Sequence, residues 1–408
     1  MKILYIHGHM FHVHTWSRVC DLLRSEGVEL HFFSQVHSAQ AALDFLHDQD
    51  VDLCIGQLFH DLPRHDELLA GAQQARCRIG LGVVGVDIPL DFSSFSPGQS
   101  ARFAHYLSHI SEHNYLNGIR FLLACTGKDL SYAEPEPVQT HGVYHPDAAS
   151  FFTSTSAYFQ WRQERKAPFR NQPLVGLLCY YSQIAEDNCA EIDAVIRCLE
   201  KNDLIPLCVA SEGLADSSLP LAQRYTWLPF FQEADPRPAA LLNLQAGRLL
   251  SRPEDLSILE TLNVPVVQLI RLHHQSPEEW RADSGGLGAG AQSMVYALSQ
   301  PEMAGVIEPT AVAAARAEID ARTGLQCRRN PYGLEEMTRR LLEAHSRGLW
   351  QADAELLQEV QTAALLVEGD MEERIGEVSE AFQGSRVEVL TARDVAKWRP
   401  VWRLKDRP

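Results

Sequence analysis

The strongest constraint on the fold of this 408-residue chain is a rhythm in which short apolar runs alternate with amphipathic stretches of helical spacing. Between residue 1 and about 130 the runs KILYI, VELHFF, VDLCIGQ and RIGLGVVG are separated by segments such as 15–25 and 39–47, whose apolar residues recur at helical intervals. Strands joined by helical crossovers predict a parallel sheet. The run DIPLDFSSFSPG reads as a loop in which Ser96 caps the helix opened by Pro97. That helix is expected over 97–110, with another over 112–125.

The rhythm returns further along. Residues 131–147, SYAEPEPVQTHGVYHPD, are rich in Pro and acidic groups and read as a connection. PLVGLLCYY, LIPLCVAS, 239–250 and NVPVVQLI are strand candidates, with helices over 190–201 and 254–262 between them. SGGLGAG is a flexible loop before a helix over 292–298, and 331–382 is helical in pattern. The predicted class is α/β, with two Rossmann-like parallel-sheet units and a C-terminal helical segment. The expected division is 1–130, a connection over 131–150, a second α/β domain over 151–330 and the helical segment with its tail over 331–408.

Composition removes several function classes. A net charge of −17 argues against a nucleic-acid or anionic-membrane surface, since both need clustered Lys and Arg. No apolar run reaches the roughly 18–20 residues of a membrane span, and the first residues already carry strand pattern, so a cytoplasmic location is expected. The nine cysteines contain no CxxC, which disfavours a zinc ribbon and suits reduced core thiols.

Histidine is distributed unevenly, twelve of the seventeen lying before Asn114. The first strand runs straight into His7, His9, His12 and His14, and in open α/β sheets ligands gather outside the carboxyl ends of strands. His105, His109 and His113 recur at every fourth position, which on a helix places them on one face. Neutral imidazoles suit Co, Ni, Zn or Fe, so both sets are candidate metal ligands, with Glu112 or Asp87 as an added carboxylate. The plain alternatives are a polar turn for the first set and a packing face for the second. His273 and His274 follow the strand VPVVQLI and are candidates for contact with a bound cofactor or for a bland loop. Tyr158, Trp161 and Phe169 read as core aromatics. SGGLGAG has neither the dinucleotide spacing nor the GK[ST] of a P-loop, so any ATP use falls to a partner.

Two resemblances bear on function. YIHGHMFHVHTW is similar to the first strand and turn of α/β-hydrolases, but a GxSxG elbow is required there, and VVGVD and CIGQL have no Ser at their centres. YHPD at 144–147, VGLLCYYSQIAEDNCAEIDAVIRCLEKNDLIPLCV, LNVPVVQLIRLHHQSPEEWRADSGGLGAGAQSMVYALSQPEMAGVIEP and NPYGLEEMTRRLLEAHSRGLW resemble parts of CobN-type cobaltochelatase large subunits and magnesium chelatase H subunits. Members of that family are far longer, and here Glu308 passes to Asn330 through an Ala-rich segment, as though the first and last parts were joined.

The resemblance implies a tetrapyrrole and a divalent metal as bound species, with separate AAA+ ATPase subunits as partners. It makes Tyr144 and His145, with His273 and His274, candidate tetrapyrrole contacts. The expected function is metal insertion or removal. The alternatives are a non-catalytic metal or tetrapyrrole carrier or regulatory paralogue, and a different metal-dependent enzyme on the same frame.

Overall fold

A computed structural model describes residues 1–8, 12–35, 38–59, 62–75, 77–84, 93–165, 172–212, 219–220, 224–246, 249–250, 255, 257–272, 275–282, 297–298, 300–303, 306–320, 322–323, 326–346, 364–367 and 388–391. The first sheet contains β1 (Lys2–His7), β2 (Glu29–Ser34), β3 (Leu53–Phe59) and β4 (Arg78–Val84) in the order β2-β1-β3-β4, every pairing parallel as expected. Around it lie α1 (Val13–Ser25), α2 (Ala39–Asp48), α3 (His65–Gln74), α4 (Pro97–Ser108) and α5 (Glu112–Cys125).

The period of two along β1 sorts its side chains between two cores. Ile3 and Tyr5 pack with Trp16, Val19, Phe103 and Ile119, whereas Leu4 and Ile6 pack with Ala42, Leu46 and Leu68. The cap foreseen at Ser96 is present: its side chain accepts from the Gln99 N–H, and the Gln99 side chain accepts in return from the Ser96 N–H.

The second sheet is larger and mixed, a difference from the purely parallel expectation. It contains β5 (Gly142–Tyr144), β6 (Leu174–Tyr180), β7 (Ile205–Ser211), β8 (Ala240–Asn243), β9 (Val266–Arg271), β10 (Ile307–Ile319) and β11 (Gln326–Pro331), in the order β11-β10-β9-β8-β6-β7-β5. The strands from β7 to β10 are parallel, and β5 and β11 are antiparallel edges. The connection from β10 to β11 is too short for a crossover, so the Ala-rich segment folds back as a hairpin. Flanking helices include α6 (Thr155–Arg165), α7 (Tyr181–Ala185) and α8 (Ala190–Lys201).

The C-terminal expectation is corrected in part. The helix Leu334–Ser346 forms and buries Met337 and Leu341 in the core beside α8. Beyond it, β12 (Ala364–Val367) pairs in parallel with β13 (Glu388–Thr391), so the segment is not helical throughout. Among the described residues no helix is long and apolar enough to cross a membrane.

Candidate functional site

Both sheets reverse direction beside their first parallel strand, between β1 and β3 in one and between β6 and β8 in the other. Such a point opens a crevice at the carboxyl ends of the strands. The two carboxyl edges meet through α1. His12 makes no capping bond at the start of that helix. Glu186, which follows α7, supplies the cap instead: its carboxylate accepts from Thr15 Oγ1 at 2.6 Å and from the Thr15 N–H at 3.2 Å. Burial pushes the Glu186 pKa up to about 7, against the pull of the Thr15 bonds and Arg18. Further along α1, Ser17 Oγ donates to Asp320 at 2.9 Å, and Arg322 makes two 2.7 Å contacts to Asp21.

Among the described residues, the ends of β2 and β3 in the first sheet are tied together. Gln35, fully buried, donates from Nε2 to the Phe59 carbonyl and accepts the Phe59 N–H, both at 2.8 Å, so its amide pairs with the backbone of that residue like a neighbouring strand. A Cβ on Gly8 would come within 2.1 Å of the Phe59 ring, which shows how closely the ring covers the turn. His7 ends β1 and is buried, with Nδ1 at 3.3 Å from the Gly8 carbonyl. The His12 ring lies against Tyr115, its Nδ1 hydrogen-bonded to the phenol, and burial lowers its pKa to about 4. His14 is half-buried, and its Nε2 has no hydrogen-bond partner among the described residues. His9 lies outside the described residues.

The second histidine set does not share one helix. α4 ends at Ser108, His109 is extended (φ −116°, ψ 97°), and Ser111 caps α5 by accepting from the Asn114 N–H. The corner leaves the His105 and His109 rings in a T-shaped contact, centroids 5.2 Å apart, and turns His113 away, its Nε2 within 3.3 Å of the Glu134 carbonyl and 3.5 Å of Glu136 Oε1. Among the described residues no group of three or more His, Cys, Asp or Glu side chains is arranged to hold a metal ion.

The edge of the second sheet carries groups that reasoning from sequence did not single out. Gln245 donates to the Cys179 carbonyl and to Ser211 Oγ, both at 3.0 Å, and Asn243 donates to Gln268 at 2.8 Å. Arg271, at the end of β9, lies over the Tyr180 ring and stands 3.7 Å from the fully buried Glu191. The signal was present as polar residues inside the apolar runs LLNLQ and VVQLIR, since a buried carboxamide must find partners. His273 and His274 follow directly but lie outside the described residues.

Tyr144 and His145 are held elsewhere. β5 runs antiparallel to β7 from Gly142 opposite Ala210 to Tyr144 opposite Cys208, and so leads away from the carboxyl edge. The Tyr144 hydroxyl donates to Asp193 at 2.8 Å. His145 accepts the Asp147 N–H at Nδ1 and faces Glu200 from Nε2, within a network that includes Arg162 and Arg197. His145 is buried in that network and Tyr144 is half-buried. Tyr158 is fully buried and stacks on Trp161 at 6.0 Å, as core aromatics should; Phe169 lies outside the described residues.

Comparison with known proteins places this geometry in context. Residues 104–328 match the CobN/Magnesium Chelatase family. The aerobic cobaltochelatase subunit CobN of Pseudomonas aeruginosa is 30% identical over 211 residues, covering 51% of this chain and 16% of that protein. The magnesium-chelatase H subunit of Rhodobacter capsulatus is 29% identical over 216 residues, covering 50% and 16%. Among solved structures, the catalytic subunit of cobaltochelatase from Mycobacterium tuberculosis aligns with a TM-score of 0.46 at 16% identity, covering 81% of this chain and 26% of that one. The matches thus span about a sixth of the length of these curated relatives.

Proposed function

The chain belongs to the CobN/magnesium chelatase family, and on that premise we propose that it brings a divalent transition metal and a tetrapyrrole together at the junction of its two sheets. The observation that carries this reading is the Thr15–Glu186 contact, which sets the histidine-bearing edge of the first sheet beside the amide- and arginine-bearing edge of the second. Each sheet is read as a Rossmann-like unit. The imidazoles that follow β1 capture the metal, a borderline ion such as Co, Ni, Zn or Fe. The macrocycle lies along the second edge, near Arg271, and His273 and His274 are its candidate contacts from the sequence. Insertion requires two pyrrole N–H protons to leave, and the groups suited to receive them near neutral pH are an imidazole and Glu186. AAA+ ATPase subunits would supply energy in this reading.

A second reading is a carrier or regulatory paralogue without turnover, favoured by the sealing of the first edge by Gln35 and Phe59. Absorption spectra of the purified protein titrated with a free-base porphyrin, alone and then with Co²⁺, separate the two. Porphyrin binding followed by the spectrum of the metallated ring, lost in Glu186→Gln, supports the chelatase reading. Binding of the ring with no metallation in the presence of ATPase subunits supports the carrier. Metal binding without porphyrin binding overturns both in favour of a different metal-dependent reaction on the same frame.

A further inference from the structure

We propose that Arg271 and Arg329 form a carboxylate-binding subsite at the carboxyl edge of the second sheet, with Glu191 as the internal counter-ion that holds the two guanidiniums until a ligand arrives. The inference rests on the reading that a tetrapyrrole lies along this edge, and it narrows the substrate to a macrocycle that carries a free carboxylate side chain.

The topology brings the two arginines together from different strands. Ala313 of β10 pairs with Arg271 on one side and with Pro331 on the other, so the end of β9 lies level with the end of β11. β10 runs on past that level, and β11 returns along it with Arg329 two residues before Pro331. Arg329 is thus carried beyond the last residue of β9, on the side where sheets of this kind bind ligands. Both arginines face one carboxylate. Arg271 Nη1 is 3.7 Å and Arg329 Nη1 is 3.6 Å from Oε1 of Glu191, at the start of α8. Gln183, from α7, donates to the same oxygen at 3.2 Å.

The pairing is incomplete in two ways. Both guanidinium separations exceed the roughly 2.7–2.9 Å of a charge-assisted hydrogen bond, and Glu191 Oε2 is buried with no hydrogen-bond partner among the described residues. A two-pronged arginine–carboxylate pair would use both oxygens. The charges do not balance either. Two of these three groups are positive and one is negative, with side chains only 5%, 15% and 0% exposed for Arg271, Arg329 and Glu191. Burial, together with Arg271, lowers the Arg329 pKa to about 10 against the pull of Glu191, as expected where cations outnumber anions. An excess charge out of water is costly, and a second carboxylate makes the count equal. The planar guanidinium fork suits that partner. Arg271 is already aimed, since its guanidinium lies over the Tyr180 ring and its Nη2 donates to the Leu244 carbonyl. Arg329 is the more exposed of the two and is the one a ligand reaches first.

The test compares a free-base porphyrin carrying two propionates with its dimethyl ester, each titrated into the full chain in the same detergent and followed by absorption. The diacid is expected to bind at least about tenfold more tightly than the ester, a factor that one charge-assisted hydrogen bond supplies. Arg329→Gln should abolish that preference, and Arg64→Gln, before α3 in the first unit, should keep it. Denaturation midpoints separate ligand binding from a structural role. Arg329→Gln leaves one cation facing one anion, so without ligand its midpoint should equal or exceed the native one. A midpoint that falls, with the diacid preference intact, assigns Arg329 to packing and overturns the site. Sodium propionate, against sodium chloride at the same ionic strength, should raise the native midpoint and leave that of Arg329→Gln unchanged. Protection by inorganic phosphate in place of propionate overturns the carboxylate assignment. Equal affinity for diacid and ester, with no effect of propionate, overturns the subsite and leaves the macrocycle reading standing. Propionate protection lost in Arg329→Gln, with neither porphyrin bound, keeps the subsite and sinks the macrocycle reading.

Discussion

In the first sheet the amide of Gln35, leaving β2, reaches over the end of β1 to the Phe59 peptide of β3. In the second, the amide of Gln245, leaving β8, reaches over the end of β6 to Ser211 at the end of β7. The two sheets share a strand order around their first strand and meet the same difficulty, parallel strand ends whose backbone groups have run out of neighbours. Each answers it with a carboxamide. The difference is in what remains. Gln35 pairs with both backbone groups of one residue, whose ring packs on Gly8, which leaves little to offer a ligand. Gln245 is one of several polar groups in a layer that continues to Arg271 and Tyr180. Equal topology therefore does not imply equal chemistry, and recognition is expected mainly at the second edge.

The comparison breaks most severely at Gly56. It has φ +129°, and a Cβ there would stand 1.9 Å from the Ile6 carbonyl, so Gly56→Ala should cost about 3–5 kcal/mol in chemical denaturation through backbone strain and overpacking. Next comes the clamp. Gln35→Leu takes the acceptor from the Phe59 N–H and one of two donors from its carbonyl, which also accepts from Leu62, and should cost about 2–3 kcal/mol, whereas Gln245→Leu takes no acceptor from an N–H and should cost about 1–2 kcal/mol. Equal losses would show that the two clamps are equivalent after all.

The junction responds to pH through two groups of opposite sign. Glu186 keeps its proton up to about pH 7 when folded but ionises near 4.5 in the unfolded chain, so stability falls as pH rises across that window. His12 stays neutral down to about pH 4 when folded but binds a proton near 6.5 when unfolded, so its contribution rises with pH between those values. The slopes offset each other in the native chain. Glu186→Gln should expose the rise and His12→Asn the fall, each on the order of 2 kcal/mol, read from denaturation midpoints between pH 4 and pH 7. An effect as small as that of Gln245→Leu is expected at Gly176 in the second sheet. A Cβ there meets only side-chain atoms of Leu241 and Phe231 at 2.9 Å, which can shift, so Gly176→Ala should cost about 1–2 kcal/mol by the same assay.

Much of the architecture was legible because each parallel strand announces itself locally. KILYI, PLVGLLCYY and LIPLCVAS became β1, β6 and β7, and the cap at Ser96 followed from three adjacent residues. What escaped depends on partners far along the chain. The Ala-rich run became β10 because Ala311, Ala313 and Ala314 are buried between β9 and β11, a packing demand that overrides the helical preference of alanine. β12 and β13 escaped because each is only four residues long and pairs across a long separation. From the sequence the carboxyl edge and its histidines could be named as candidates, and the structure puts His7 and His12 at that edge. Glu186, Gln245 and Arg271 gain meaning only when the second unit folds against α1.

The docking contacts of α1 have a mechanical consequence. Thr15, Ser17 and Asp21 reach Glu186, Asp320 and Arg322 along one helix, over about 9 Å at 1.5 Å per residue. Thr15 lies roughly 200° round the helix from Ser17, so α1 is gripped from opposite sides and is held against turning as well as sliding. Ile110, which packs against both cores, adds a separate apolar contact between the units, so a polar grip on α1 is backed by burial.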